Sequence, residues 1–246
     1  METDKKYKLT NETIFLNGIT LYRIEALKDF ASIKKGEKGG FIESEDNLSQ
    51  NGNCWVYKNA KVFENAEVFE NAEVFKNAEV YGNTMVYGNA RVGGNAEVYE
   101  NAEIYGNAKV YGDAWVRGKA KVFENAMVFG NARVYGYALI YGTALICENT
   151  RICGKVNVYG NAIIYGNAEV IGDATVASKL DYLVFKNCWS SGRYFTWTRS
   201  NNMWKVGCFY GTGEELIAKA YKDSELSGRE YERVVKYVES MIKDLV

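Results

Sequence analysis

The chain has 246 residues, a formal net charge of −1, 47% hydrophobic residues, and neither histidine nor proline. No apolar run approaches the roughly 18 residues a membrane-spanning helix needs, and the opening stretch METDKKYK has no signal-peptide core. The cysteines at 54, 147, 153, 188 and 208 form neither a disulfide framework nor a zinc-ligand cluster. This composition leads us to expect a cytoplasmic protein without metal, cofactor, membrane contact or specific nucleic-acid binding.

Taken in chain order, Thr13-Ile14-Phe15-Leu16, then Asn17-Gly18, then Ile19-Thr20-Leu21-Tyr22 reads as a β-hairpin with a two-residue turn. The segment from Leu27 to Asn53, with Gly39-Gly40, is irregular and is expected to cover the first coil of the repeat region. Residues 1–53 are thus assigned as an N-terminal cap.

Residues 54–179 carry the dominant signal. Every sixth residue from Val56 to Val176 is aliphatic, sixteen Val and five Ile in twenty-one hexads without insertion or deletion. Four residues after each comes a small side chain, Ala at seventeen of twenty places, and the residue before that is Asn at fourteen of twenty. A short fixed period of this kind marks a solenoid. In a unit such as Asn65-Ala66-Glu67-Val68-Phe69-Glu70, Ala66 and Val68 share one face of a short strand and Glu67 and Phe69 the other. Gly and Asn at the corners suit a turn that needs positive φ. Three such sides per coil make about seven coils, a rod of roughly 34 Å at ~4.8 Å per layer. The lack of proline suits an unbroken ladder.

Residues 180–246 read as a small α+β module. Strands are expected over Leu180–Asn187, Arg193–Arg199 and Met203–Tyr210. Two helices come next, opened by capping boxes at Thr212-Gly213-Glu214-Glu215 and Ser227-Gly228-Arg229-Glu230. The second helix carries Tyr231, Val234, Val235, Val238, Met241, Ile242 and Leu245 on one stripe, a face that must pack on something. Ahead of the aliphatic on one side of the rod run Trp55, Glu73, Arg91, Lys109, Met127, Leu145 and Ile163. The loss of charge from Met127 onward is expected to mean that the module, or its copy from another subunit, folds over the last coils.

Two surfaces stand out as candidate sites. Phe69, Tyr87, Tyr105, Phe123, Tyr141 and Tyr159 lie eighteen residues apart and form one outward column. Stacked rings stabilise adjacent strands, and a long apolar strip is also what an oligomer face looks like. We therefore expect association through this column or through the C-terminal module. The second surface lies in the C-terminal strands. Residues 182–213 contain no acid, four cations (Lys186, Arg193, Arg199, Lys205) and many aromatics. Arg193, Trp197, Arg199, Trp204 and Lys205 are the expected ligand-binding set, since Arg can pair a phosphate and Trp can stack a base. Alternate rings must also form the module's core. Gly211-Thr212-Gly213 lacks the spacing and lysine of a phosphate loop and is explained by helix capping.

The aliphatic and small-residue pattern resembles the hexapeptide repeat of the left-handed parallel β-helix. Here the residue after the aliphatic is mostly Tyr or Phe, where that family has small or acidic residues. The stretches Arg23–Phe30, Lys35–Glu43 and Asn47–Val56 resemble the N-terminal cap of phage- and prophage-encoded hexapeptide-repeat proteins. Gly207–Leu216 resembles a module at the C-terminal end of such proteins. The whole is also similar to proteins described as hexapeptide-repeat transferases. The resemblance implies an all-β solenoid of left-handed hand and commonly a trimer, so the expected oligomer is a homotrimer. It supplies no catalytic residues. Acyltransferases of this repeat class use a His base, and this chain has no histidine. We therefore expect a non-enzymatic binding protein, acting in counter-defence by sequestering a small anionic, nucleotide-like host molecule or by masking a host protein. Acyl transfer and a structural role in the virion are the alternatives.

Overall fold

The structure, a computed structural model, describes residues 5–244. The hairpin forms as expected: β1 (Tyr7–Leu16) pairs antiparallel with β2 (Ile19–Ala26), with Asn17 at φ 49° and Gly18 at φ 87°. Two successive left-handed residues are what a tight hairpin of right-twisted strands requires. Next, β2 pairs antiparallel with β3 (Lys38–Ile42), and from β3 onward the ladder is parallel, with Ile42 beside Val62.

Twenty-one two-to-four-residue strands come after it, β4 (Trp55–Val56) to β24 (Thr175–Val176), and every third one joins the same sheet. Three flat sides result, one of them a ten-stranded sheet that includes β1 to β3 and the others seven-stranded. Twenty-one strands over three sides give seven coils. An incomplete coil precedes them, made by β3 and by Leu48, which bridges to Val68. That bridge spans twenty residues, whereas Val68 and Val86 are eighteen apart. The two-residue insertion before Val56 is why the repeat pattern does not reveal this coil. All twenty-one repeat aliphatics are buried, from Val56 to Val176. Where Thr84 and Thr150 replace the small Ala, each hydroxyl donates to the carbonyl three residues back, at 2.7 Å in both cases.

The corners divide their labour differently from the expectation that Gly and Asn both supply positive φ. The left-handed residue is the one before the Asn position: Gly at most corners, and Lys58, Glu64, Glu70, Lys76, Glu100, Glu124 and Glu148 at others. Asn is selected for its side chain. Asn71 Nδ2 donates to Asn89 Oδ1 at 3.2 Å and Asn89 Nδ2 to Asn107 Oδ1 at 3.1 Å, a ladder running up the corner. The strain of a left-handed Glu is partly offset, because Glu64 and Glu70 each accept the backbone N–H one coil on, from Gly82 and Gly88 at 2.8 Å.

The column from Phe69 to Tyr159 is a stack of nearly parallel rings with centroids 4.8 to 5.2 Å apart. Each of its six rings is half-buried against its neighbours.

The C-terminal sheet has four strands where three are expected: β25 (Tyr182–Lys186), β26 (Tyr194–Thr198), β27 (Met203–Val206) and β28 (Phe209–Gly211). Gly207, at φ 55°, splits the third into a hairpin. Helix α1 (Gly213–Asp223) has the expected box, Glu215 N–H donating to Thr212 Oγ1 at 3.2 Å and Thr212 N–H to Glu215 Oε2 at 2.9 Å. Helix α2 (Glu225–Asp244) starts earlier than expected, and Ser224 accepts from Ser227 N–H at 3.1 Å. The glycine at 228 serves packing instead: a Cβ there would lie 2.2 Å from the Tyr221 ring, so only Gly lets the helices close. Val235 and Val238 of the expected stripe are buried, and Leu245 lies outside the described residues.

The rod has polar ends, and both are capped. The N–H groups flanking the repeat aliphatics donate to the next coil's carbonyls, as Arg91 N–H does to Ala108 O at 2.9 Å. On the side of β4, which no earlier strand covers, the first coil therefore offers spare carbonyls, and the last coil offers spare N–H groups. At the first end the buried Lys6 Nζ donates to Cys54 O at 2.9 Å and Gly52 O at 3.3 Å. At the last end Thr196 Oγ1 accepts from Glu169 N–H at 2.9 Å, Ser200 Oγ from Thr175 N–H at 2.7 Å, and Asp181 from Ala177 N–H at 2.9 Å. The module thus sits on the end of the rod. Within the chain the module leaves Ile163, at the end of the run Met127–Leu145–Ile163, 45% exposed, so the cover expected from this chain's own module is incomplete.

Candidate anion site

The five expected ligand residues do not share an open face. Phe195, Trp197, Trp204 and Val206 point at the helices and form one core with Leu216, Val235 and Val238. Trp197 is 1% exposed and Trp204 2%, so neither indole can stack a base. The Trp197 Nε1–H is already satisfied by Asn202 Oδ1 at 2.9 Å. Strand alternation sends Lys205 to the opposite face, paired in register with Thr196 and facing Glu169 at 3.4 Å. Its ammonium also donates to Gly207 O. Arg199 is half-buried, and its N–H donates to Asp181 O at 2.8 Å. Of the five, Arg193 alone is exposed. Sequence alternation puts the right residues on one face, but the helices cover that face.

The structure instead brings cations together on the rod. On the ten-stranded side, Arg133 and Arg151 are register partners in adjacent layers, and Trp115 is the partner of Arg133 on the layer before. Arg117 lies beside them, one position past the aliphatic. Together Trp115, Arg117, Arg133, Tyr135 and Arg151 line a cleft of about 160 Å³. The Arg133 guanidinium lies 4.5 Å from the Trp115 ring, and Arg117 is held between Tyr99 at 5.9 Å and Tyr135 at 5.1 Å. Cation–π contact fixes a guanidinium without neutralising it.

Charge balance at the cleft is incomplete. Arg117 faces Glu100 at 3.5 Å and Arg151 faces Glu169 at 3.2 Å. Among the described residues Arg133 forms no ion pair, and its register neighbour is another arginine. Like charges opposite one another on a sheet are destabilising. The segments 115–119, 133–137 and 151–155 contain five cations (Arg117, Lys119, Arg133, Arg151, Lys155) and no acid. Some register neighbours neutralise each other, as in Lys61–Glu79 at 2.7 Å and Lys121–Glu103 at 2.8 Å, while Arg91–Lys109 and Glu79–Glu97 are like-charged partners as well. Burial, with the Cys153 thiol alongside, pushes the Tyr135 phenol up, so this wall stays neutral.

Across Arg151 a second cleft of about 240 Å³ opens, lined by Asn149, Asn167, Glu169, Arg193, Tyr194 and Gly207. The smaller cleft has room for a phosphate- or carboxylate-sized group, well below the roughly 300 Å³ at which whole-ligand pockets begin. The larger one has amide side chains and a phenol suited to a neutral polar remainder. The cleft that sequence reasoning missed is legible in principle: eighteen-residue columns place Arg133 over Arg151, with Trp115 one layer away.

Comparison with known proteins adds no identity. The chain matches no protein-family model, and no curated protein matches it.

Proposed function

We propose that this chain is a non-enzymatic binding protein whose rod, rather than its C-terminal module, captures an anion. The observation that carries this reading is Arg133, a guanidinium fixed against Trp115 and flanked by Arg151 without an acidic partner. Three guanidiniums around one small cleft suit a phosphate, which accepts paired hydrogen bonds from Arg. The adjoining cleft suits the rest of a nucleotide-like molecule. In the setting that the resemblance to phage proteins implies, the ligand is a host nucleotide signal and the function is its sequestration. The absence of histidine supports binding over acyl transfer.

Native mass spectrometry of the freshly purified chain tests this reading. We expect a phosphate-bearing small molecule to remain with the native chain and to be lost from Arg133→Ala, with melting unchanged. Arg193→Ala, at the far rim, should weaken retention less. Undiminished retention by Arg133→Ala sinks the assignment.

A further inference from the structure

A second cleft lies on a different side of the rod, where one outward side chain is missing. On the side that begins with β4, the residues following the aliphatics include Tyr57, Phe75, Gly93 and Tyr111. Gly93 is the sole glycine at this position in the repeat. In the other columns, successive rings lie flat on one another: Phe63 on Tyr81 at 4.9 Å and 7°, Tyr81 on Tyr99 at 5.0 Å and 3°. Here Phe75 leans over Gly93 and meets Tyr111, two layers on, edge-wise at 5.8 Å and 61°. A Cβ at residue 93 would lie 2.3 Å from Phe75 Cζ, so the tilted ring occupies the space a side chain would take.

The tilted Phe75 ring is one wall of a cleft of about 330 Å³, lined also by Tyr57, Lys58, Glu73, Lys76 and Arg91. That volume reaches the range of small-molecule pockets, roughly 300–1,000 Å³. Glu73 is already engaged, accepting from Arg91 Nε at 2.9 Å and from Tyr57 Oη at 3.3 Å. Arg91 in turn sits 5.2 Å from the Phe75 ring centre. Lys58 and Lys76 are left over: among the described residues neither forms an ion pair. Both occupy left-handed corner positions, at φ 52° and 61°, one coil apart. Four of the five Glu at such corners, Glu64, Glu70, Glu124 and Glu148, offset their strain by accepting a backbone N–H one coil on. A lysine has no acceptor and gains no such bond. Two strained, stacked cations beside an open aromatic cleft are the pattern of a site in which an anion completes the balance.

We propose that this cleft binds a planar aromatic anion, its ring against Tyr57 and Phe75 and its negative group between Lys58 and Lys76. Both nucleotides and aromatic carboxylates have this chemistry. The site is independent of the arginine cleft and stands or falls without it.

Calorimetric titration of the full chain carrying Arg133→Ala, which removes the other candidate site, tests the proposal with four probes: AMP, 1-naphthoate, adenosine and inorganic phosphate. AMP or 1-naphthoate should bind at least about tenfold more tightly than adenosine or phosphate, because ring and charge are both used. Binding of AMP alone points to nucleotides and binding of naphthoate alone to carboxylates. Adding Gly93→Tyr should restore the flat stack, force Phe75 upright and abolish binding, while melting stays level or rises. Lys58→Ala with Lys76→Ala should cut the anion's affinity about tenfold and leave adenosine unchanged. Tyr57→Ala removes one wall and should also abolish binding, which keeps the test decisive should Gly93→Tyr fold poorly. No binding of either anion at millimolar concentration, or binding that survives these substitutions, overturns the proposal.

Discussion

Val110→Asp is expected to unfold the rod. Val110 is buried between Val92 and Val128, its register partners in the layers on either side. The interior is filled by Val, Ile and Ala from three sides, so a carboxylate there meets no donor. Burying such a group without a partner costs roughly 4 kcal/mol or more, at the upper end of single-substitution effects. The parallel ladder spreads the damage, because each coil supplies the hydrogen-bond partners of the next. Ile104→Asp, on another side, should behave alike. Lys109→Asp changes the outward neighbour by two charges and should move stability by about 1 kcal/mol or less. Chemical denaturation monitored by circular dichroism checks all three. A soluble Val110→Asp chain with unchanged melting would contradict the inward register.

The rod is legible in the sequence because a solenoid repeats one local rule. An inward aliphatic every six residues is a property of neighbours in sequence, and stacking at eighteen comes with it. The stacked column from Phe69 to Tyr159 and the breaks at Gly93 and Arg117 can be written down from the sequence alone. The features that are not legible depend on contacts distant in sequence. Strand alternation correctly puts Trp197 beside Phe195 on one face, but only the packed helices reveal that this face is interior. The coil at β3 is hidden by two inserted residues. The Asn ladders read as a backbone preference, since a corner Asn looks the same whether its φ or its amide is being used. The arginine cleft escapes notice for a related reason. Each of its cations is ordinary in its own hexad, and only the layer-to-layer register shows Arg133 over Arg151.

Lys6→Met is expected to cost roughly 2–4 kcal/mol net, the loss at carbonyls left without their donor (about 1–3 kcal/mol each) less the relief of a buried ammonium. Two opposed effects decide the sign. Removing a buried ammonium relieves its desolvation, which by itself makes an apolar replacement neutral or favourable. Yet the carbonyls of Cys54, Gly52 and Asn51, which Lys6 Nζ reaches at 2.9, 3.3 and 3.5 Å, lead into β4, the side of the rod with no earlier strand to pair with. They stay where they are when the donor goes, so the loss dominates. Titration supplies a second readout. Burial, opposed by the adjacent Cys54 thiol, holds the Lys6 ammonium below the ordinary lysine value of 10.5. The unfolded chain then binds more protons than the folded one in the window between the depressed value and 10.5. Lys6 therefore adds a rise in stability with increasing pH across that window. Lys6→Met should be less stable at neutral pH and should lose that rise, as urea midpoints from pH 7 to 10.5 would show. A variant as stable as the native chain, with the same slope, would mean that the acceptor end of the rod is closed by the hairpin's packing and not by the ammonium.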